Sequence, residues 1–222
     1  MGRLLVLEGL DGSGKSTQME LLKRGLAREG FTASYIKMPD YESDSSALVR
    51  MYLGGAFGES PDDVNAYAAS TFYAADRYAG YHTKWQADYQ NPDGDFVVAD
   101  RYVSSNAIFQ MPKLSRELWD AYLAWLEDFE YRKLGLPRPD MVIYLDVPVE
   151  ISQKLLSKRY GENGGERDVH ERDIAYQMKC REAAEYAANA SGWKKISCAE
   201  DGVLRAADDI AGDILDAVRN LR

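Results

Sequence analysis

Gly9-Leu10-Asp11-Gly12-Ser13-Gly14-Lys15-Ser16 stands between two runs of different character. Before it, Leu4-Leu5-Val6-Leu7 is a short apolar run of strand type; after it, Thr17-Gln18-Met19-Glu20-Leu21-Leu22-Lys23-Arg24 is built of good helix formers. Strand, glycine loop and helix in that order form the setting of a phosphate-binding loop. Its glycines let backbone N–H groups turn towards anionic oxygens, and the start of the helix adds its positive end. Gly9, Gly12, Ser13, Gly14, Lys15, Ser16 and Thr17 are therefore expected to hold a nucleoside triphosphate such as ATP. Lys15 reaches the β- and γ-phosphates, and the Ser16 hydroxyl ligates Mg²⁺.

Outward from this loop the same alternation repeats. The first strand covers about Arg3 to Glu8, and the helix after the loop sets Met19, Leu22 and Leu26 on one face and stops at Gly30. Further strands are expected over Phe31–Met38, Phe96–Ala99, Asp140–Asp146 and Trp193–Ser197. Phe96-Val97-Val98-Ala99 is apolar at every position, as a parallel strand covered on both faces must be. Helices are expected over Ala47–Leu53, from Pro61 to about Tyr89, over Ser115–Lys133 (with Leu118, Tyr122, Trp125, Leu126 and Phe129 on its apolar face), Val149–Arg159, Val169–Asn189 and Val203–Leu221. The expected fold class is α/β, with a mainly parallel five-stranded sheet flanked by helices. Residues 1–222 form one domain, and the glycine-rich, charged stretch over about 158–168 is its short mobile lid.

Composition narrows the partners. A formal net charge of −9 argues against nucleic acid and acidic membrane surfaces, so any anion site must be a local gathering of Arg and Lys. Cys180 and Cys198 have no metal-like spacing and read as free thiols of a reducing compartment. No apolar run approaches ~20 residues, and the N-terminus enters a strand almost at once, so neither a membrane span nor a signal peptide is expected and the location is cytoplasmic.

Several residues could carry chemistry. Asp100 follows a buried strand at its carboxyl end, the edge where ligands bind in such sheets, and can hold Mg²⁺ directly or through water. Arg101 offers paired donors to phosphate oxygens. Tyr73 and Arg77 are four apart on one helix and share a face, able to stack on and hydrogen-bond a base; spacing alone favours a core Tyr and an Arg on a solvated flank. Arg159 and Arg167, with Lys158, bracket the lid glycines and could neutralise a moving phosphoryl group, while Asp168 and Glu171 read as caps of the next helix.

Three stretches taken together resemble the thymidylate kinase family: the loop with Asp11 inside it, Phe72-Tyr73-Ala74-Ala75-Asp76-Arg77-Tyr78, and Asp100-Arg101-Tyr102-Val103-Ser104-Ser105-Asn106. Pro137-Arg138-Pro139-Asp140 before an apolar strand also fits. The resemblance implies a P-loop kinase fold and transfer of the γ-phosphoryl group of ATP to dTMP in a homodimer. It implies that Asp11 contacts the deoxyribose 3′-hydroxyl and Tyr73 stacks on thymine. Arg77 bonds a thymine carbonyl, Asn106 lies near the ring nitrogen, Arg101 lies on the phosphates and Phe109 sits near the sugar 2′ position. Tyr41 and Ser105 complete the acceptor site. Gly12 stands where some relatives carry a catalytic arginine, which points to Arg159 and Arg167 and a lid-arginine type. Pro39-Asp40-Tyr41 departs from relatives that carry an arginine at the middle position: either Asp40 points away, or Tyr41 and another cation take over. Two other readings of the loop are a deoxynucleoside kinase, with Glu8 or Asp11 as base, and a nucleotide-binding switch or regulatory ATPase.

Overall fold

Five short strands pair into one parallel sheet in the order β2-β3-β1-β4-β5: β1 (Arg3–Gly9), β2 (Ala33–Lys37), β3 (Phe96–Asp100), β4 (Met141–Asp146) and β5 (Lys194–Ser197). The structure is a computed structural model that describes residues 2–163 and 174–221, without the side chains of 159–163. Arg167, Asp168, Glu171, the side chain of Arg159 and residues 164–168 of the expected lid thus lie outside the described residues.

The unbroken apolar runs Leu4–Leu7 of β1 and Phe96–Ala99 of β3 follow from the two layers of helix that cover the sheet. Leu4 and Val6 of β1, with Val97 and Ala99 of β3, face a core built from Trp85, Tyr122, Leu126 and Ala183. Leu5, Leu7, Phe96 and Val98 face the opposite core, with Leu22, Leu26, Ile210, Ile214 and Val218. The second core is closed by α1 (Lys15–Arg28) and the last helix. The first is closed by α3 (Ala66–Gly80), which runs on through a π-helical turn (Tyr81–Trp85) into α4 (Gln86–Gln90), and by α6 (Trp119–Glu127), extended by a π-helical turn (Asp128–Lys133). The remaining α-helices among the described residues are α2 (Ala47–Leu53), α5 (Ser104–Phe109), α7 (Val149–Asn163), α8 (Ile174–Ser191) and α9 (Ala207–Arg219).

Four expectations are corrected. The helix from Pro61 is interrupted at the extended Val64; Ser60 caps a short turn over Pro61–Asp63, and Asn65 Oδ1 then accepts the Ala68 N–H (2.9 Å) to start α3. On α6 the buried stripe is Trp119, Tyr122, Leu126 and Glu130, whereas Leu118 is exposed. α7 passes through Gly161 and ends at Asn163, so the helix intrudes on the expected lid. The closing helix begins at Ala207, because Ala199–Glu200 and Val203–Leu204 form a small antiparallel hairpin. Its two turn residues, Asp201 and Gly202, both have positive φ (48° and 75°), the geometry that Asp-Gly supplies in tight hairpins.

The chain leaves the centre of the sheet at β1, with β3 on one side and β4 on the other. The carboxyl ends of these strands open the crevice where open α/β sheets bind ligands. Among the described residues no helix is long and apolar enough to cross a membrane, and Cys180 and Cys198 are both buried thiols.

Candidate active site

Two clefts meet at this edge. One, of about 1080 Å³, is lined by the loop from Asp11 to Thr17 together with Lys37, Asp100 and Arg101. The other, of about 510 Å³, is lined by Tyr73, Arg77, Ser105, Asn106, Phe109 and Gln110. Asp11, Met38, Pro39, Tyr41 and Arg101 line both. The residues expected to hold a triphosphate thus line the first cleft, except Gly9, and those expected to hold an acceptor all line the second.

The first cleft is built for an anion. Gly14, at φ 80°, ends the loop and precedes α1, so no cap side chain occupies the first-turn N–H groups. Lys15 is buried, and its Nζ donates to Gly9 O and Leu10 O (both 2.9 Å). Burial, and then the Arg101 charge, lower its pKa to about 8 against the pull of Asp11, Asp100 and Glu8. Gly12 has φ 76°, and a Cβ there would lie 2.4 Å from Ser152 O of α7. Any side chain at position 12, an arginine included, would have to displace that helix. Asp100 lines the same cleft, and among the described residues its buried Oδ1 has no hydrogen-bond partner. Such a carboxylate oxygen in one cleft with Ser16 fits Mg²⁺, which takes one or two protein oxygens and fills its remaining positions with phosphates and water. Among the described residues no group of three or more His, Cys, Asp or Glu could hold a metal by itself.

Arg101 is the hinge between the clefts. It follows β3 in a left-handed conformation (φ 71°) that non-glycine residues seldom adopt, with its N–H held by Leu7 O (3.1 Å). Its Nη2 donates to Asp11 Oδ1 (2.5 Å), its guanidinium lies 4.8 Å from the Phe109 ring centre, and its Nη1 is buried with no hydrogen-bond partner. Behind it stands Glu8, fully buried, which accepts from Tyr102 N (3.2 Å), Ser104 Oγ (2.8 Å) and Ser105 Oγ (2.8 Å). Burial raises the Glu8 pKa, with Arg101 and the serine hydroxyls opposing. Ser105 lines the acceptor cleft, yet its hydroxyl is given to Glu8.

In the second cleft Arg77 is buried, contrary to the solvated flank that spacing favours. Its Nε and Nη2 donate to Glu130 Oε2 (2.6 Å) and Oε1 (2.5 Å), and Asn106 Nδ2 donates to the same Oε1 (3.1 Å). Burial pulls the Arg77 pKa down, but Glu130 outweighs it and the net shift is upwards. Asp40 points away from both clefts: it pairs with Lys84, and its N–H donates to Asp76 Oδ2 (2.9 Å). Beside Lys15 and Arg101, the phosphate cleft is also lined by Lys37, at the end of β2.

Glu130, Lys37, Gln110 and Lys84 were not singled out by the sequence, and Glu8 was named only as the base of a deoxynucleoside kinase, not as the buried partner behind Arg101. Glu130 left one trace, a carboxylate at the fourth place of the 119/122/126/130 stripe, where the spacing of α6 demands an apolar residue.

The sequence model of the thymidylate kinase family matches residues 7–210, nearly the whole of this framework. The chain belongs to the thymidylate kinase family. It is 32% identical over 193 residues to the thymidylate kinase of Mycobacterium tuberculosis, covering 86% of this chain and 87% of that one. With the thymidylate kinase of Synechococcus sp. (strain CC9311) it shares 36% identity over 165 residues, covering 68% and 69%. The solved structure of the Candida albicans enzyme superposes with a TM-score of 0.72 over 99% of this chain and 92% of the other, at 21% identity, a likeness of fold. As a member of this family the chain is an ATP-dependent nucleoside monophosphate kinase, which converts dTMP to dTDP with release of ADP.

Proposed function

We propose that the triphosphate of ATP lies in the loop cleft and the nucleoside of dTMP in the aromatic cleft, with the phosphoryl group passing between Asp11 and Arg101. The observation that carries this reading is that these two residues line both clefts and hold one another. The acceptor phosphate of dTMP is ionised near neutral pH, so the reaction needs no general base; it needs in-line positioning and neutralised charge. Lys15 supplies charge on the donor side and Arg101 between the two substrates. Ser16 and Asp100 hold Mg²⁺, which neutralises developing charge on the phosphate oxygens when bound. Tyr73 stacks on the base, Arg77 and Asn106 bond its edge, Asp11 meets the 3′-hydroxyl, and Phe109, under Arg101, lies by the 2′ position. Tyr41 and Ser105 border the acceptor. A deoxynucleoside kinase would require a free base by the 5′-hydroxyl. Glu8 lines neither cleft and is saturated by three donors, and Asp11 is engaged by Arg101.

The test is ADP release with a panel of monophosphates. dTMP is expected to accelerate it well above UMP, CMP and AMP; equal rates across the panel, or none dependent on dTMP, would overturn the assignment of the clefts.

The chain is a single domain, and its lid supplies the last cation from Arg159 or Arg167. Support comes from Gly12: with α7 packed against it, the loop has no room for an arginine of its own. Arg159→Ala or Arg167→Ala is expected to lower turnover more than it weakens ATP binding. Binding lost at unchanged turnover would speak against that role. Leu48 and Met51 of α2 and Tyr67 and Tyr78 of α3 are large, apolar and exposed, which supports a homodimer formed through this side, to be decided by sedimentation velocity. Two cysteines kept as thiols agree with a cytoplasmic location.

A further inference from the structure

The acceptor cleft holds a buried charge that the reaction itself does not use. Glu130 reaches it from the π-helical turn beyond α6, has no exposed surface, and touches two residues that line the cleft, Arg77 and Asn106. What matters is which hydrogen-bonding groups it leaves them.

Arg77 has five N–H donors in a fixed plane. Two go to Glu130, and one on Nη1 goes to Tyr102 O (3.3 Å). The two that remain, one on each terminal nitrogen, belong to a guanidinium whose plane Glu130 fixes from behind. A bidentate carboxylate also balances its charge, so Arg77 faces the cleft as an oriented donor and not as a general anion site. Asn106 is oriented by the same carboxylate. Its Nδ2 donates to Glu130 Oε1 (3.1 Å) and, at longer range, to Ser70 O (3.4 Å), which uses both N–H groups. Turning the amide over would set its oxygen against two acceptors. Asn106 therefore has only its carbonyl oxygen to offer a ligand, and among the described residues nothing donates to that oxygen.

We propose that Glu130 is a positioning residue that fixes the cleft as donor beside acceptor, and through this pattern selects a keto pyrimidine over an amino pyrimidine. Thymine presents a carbonyl next to a ring N–H, which meets an Arg donor and an Asn acceptor in turn. Cytosine presents an amino group next to a bare ring nitrogen, so both contacts become like against like. One buried carboxylate thus sets both halves of the reading, and neither Arg77 nor Asn106 could hold its part without it.

This role for Glu130 rests on the proposed contacts of Arg77 and Asn106 with the base, and the experiment separates the two. kcat/KM is measured with dTMP, N3-methyl-dTMP and dCMP for the wild type, Glu130→Gln and Glu130→Asp. The wild type should reject both dCMP and N3-methyl-dTMP. In Glu130→Gln one acceptor becomes a donor, so Asn106 can turn its amide and present N–H to the cleft. The ratio of dTMP to dCMP should then fall by about tenfold to a hundredfold, through a higher KM for dTMP and a lower one for dCMP, with the KM for ATP unchanged. Glu130→Asp, which keeps the carboxylate, should recover most of the ratio. If Glu130→Gln does not fold, the paired replacement Arg77→Met with Glu130→Met leaves no buried charge unpartnered, and its ratio should approach one. A wild type indifferent to N3-methylation and to dCMP overturns the base contacts, and the role of Glu130 with them. A selective wild type whose ratio survives in Glu130→Gln overturns the role of Glu130 alone, and one whose ratio survives in the paired replacement overturns the Arg77 contact together with that role.

Discussion

Lys15→Ala is expected to lower turnover on the order of 10³-fold or more while the protein stays folded. In the ligand-free structure Nζ is tethered to two carbonyls of its own loop, Gly9 O and Leu10 O, so the ammonium is already inside the phosphate cleft. The substitution removes the charge from a buried, pre-oriented position, where it is worth most to a transition state that spreads charge over phosphoryl oxygens. The two lost hydrogen bonds face a loop of small residues, so melting should move little. Single-turnover rates with dTMP and circular dichroism on the same samples check both halves; turnover near wild type would reject the mechanism. The wild type adds a pH arm. With its pKa lowered from 10.5 to about 8, Lys15 is charged at pH 7 and loses its proton as pH rises through about 8. A bound triphosphate favours the charged form, so above pH 8 binding must take up a proton and ATP affinity should fall with rising pH. Lys15→Ala should show no such fall. The folding contribution has the same origin: burying the ammonium costs stability below pH 8, and the cost shrinks as pH rises from there towards 10.5, where the unfolded chain holds more protons.

Which parts of this molecule were legible in the sequence follows from the range of the interactions involved. The loop was legible because its function is local: glycines at fixed offsets, a strand before and a helix after. β1 and β3 were legible because cover on both faces writes an unbroken apolar run. The Asp201-Gly202 hairpin was equally local, yet its strands are two residues each, too short to set a period against the helical run that follows. Arg77 and Glu130 are the opposite case. Their union joins residues 53 apart and depends on α3 and α6 lying side by side over the first core. Read alone, Asp128-Phe129-Glu130-Tyr131-Arg132-Lys133 is the charged end of an amphipathic helix. Only the stripe spacing hints that one of these charges is inside, and no spacing rule says which distant cation meets it. Asp40 shows the same limit: its sign was legible, but the lysine that turns it away is 44 residues further on.

Arg101→Ala is the second large effect, expected to lower turnover by about 10³–10⁴-fold. Arg101 is set where both clefts open, and its Nη1 is buried without a hydrogen-bond partner among the described residues while Nη2 is fixed by Asp11. A buried donor that no described protein group matches is suited to an anion lying between the substrates. Arg101→Lys keeps the charge but not the planar pair of donors, and should recover only a small part of the rate. Stability gives the independent check. Arg101 opposes the burial that raises the Glu8 pKa, and Glu8 Oε2 lies 3.9 Å from Nη1. Without the arginine that pKa rises further above 4.5 in the folded state, so ionising Glu8 costs the fold more. Stability is then greatest at low pH, where Glu8 is protonated in both states, and is lost as pH rises through the raised value. The variant should melt below the wild type at pH 7, by on the order of 1–3 kcal/mol, and the gap should close as pH falls towards 4.5. A gap that stays constant with pH would mean that Glu8 does not depend on Arg101. A variant with normal turnover would mean that the charge between the two substrates comes from somewhere else.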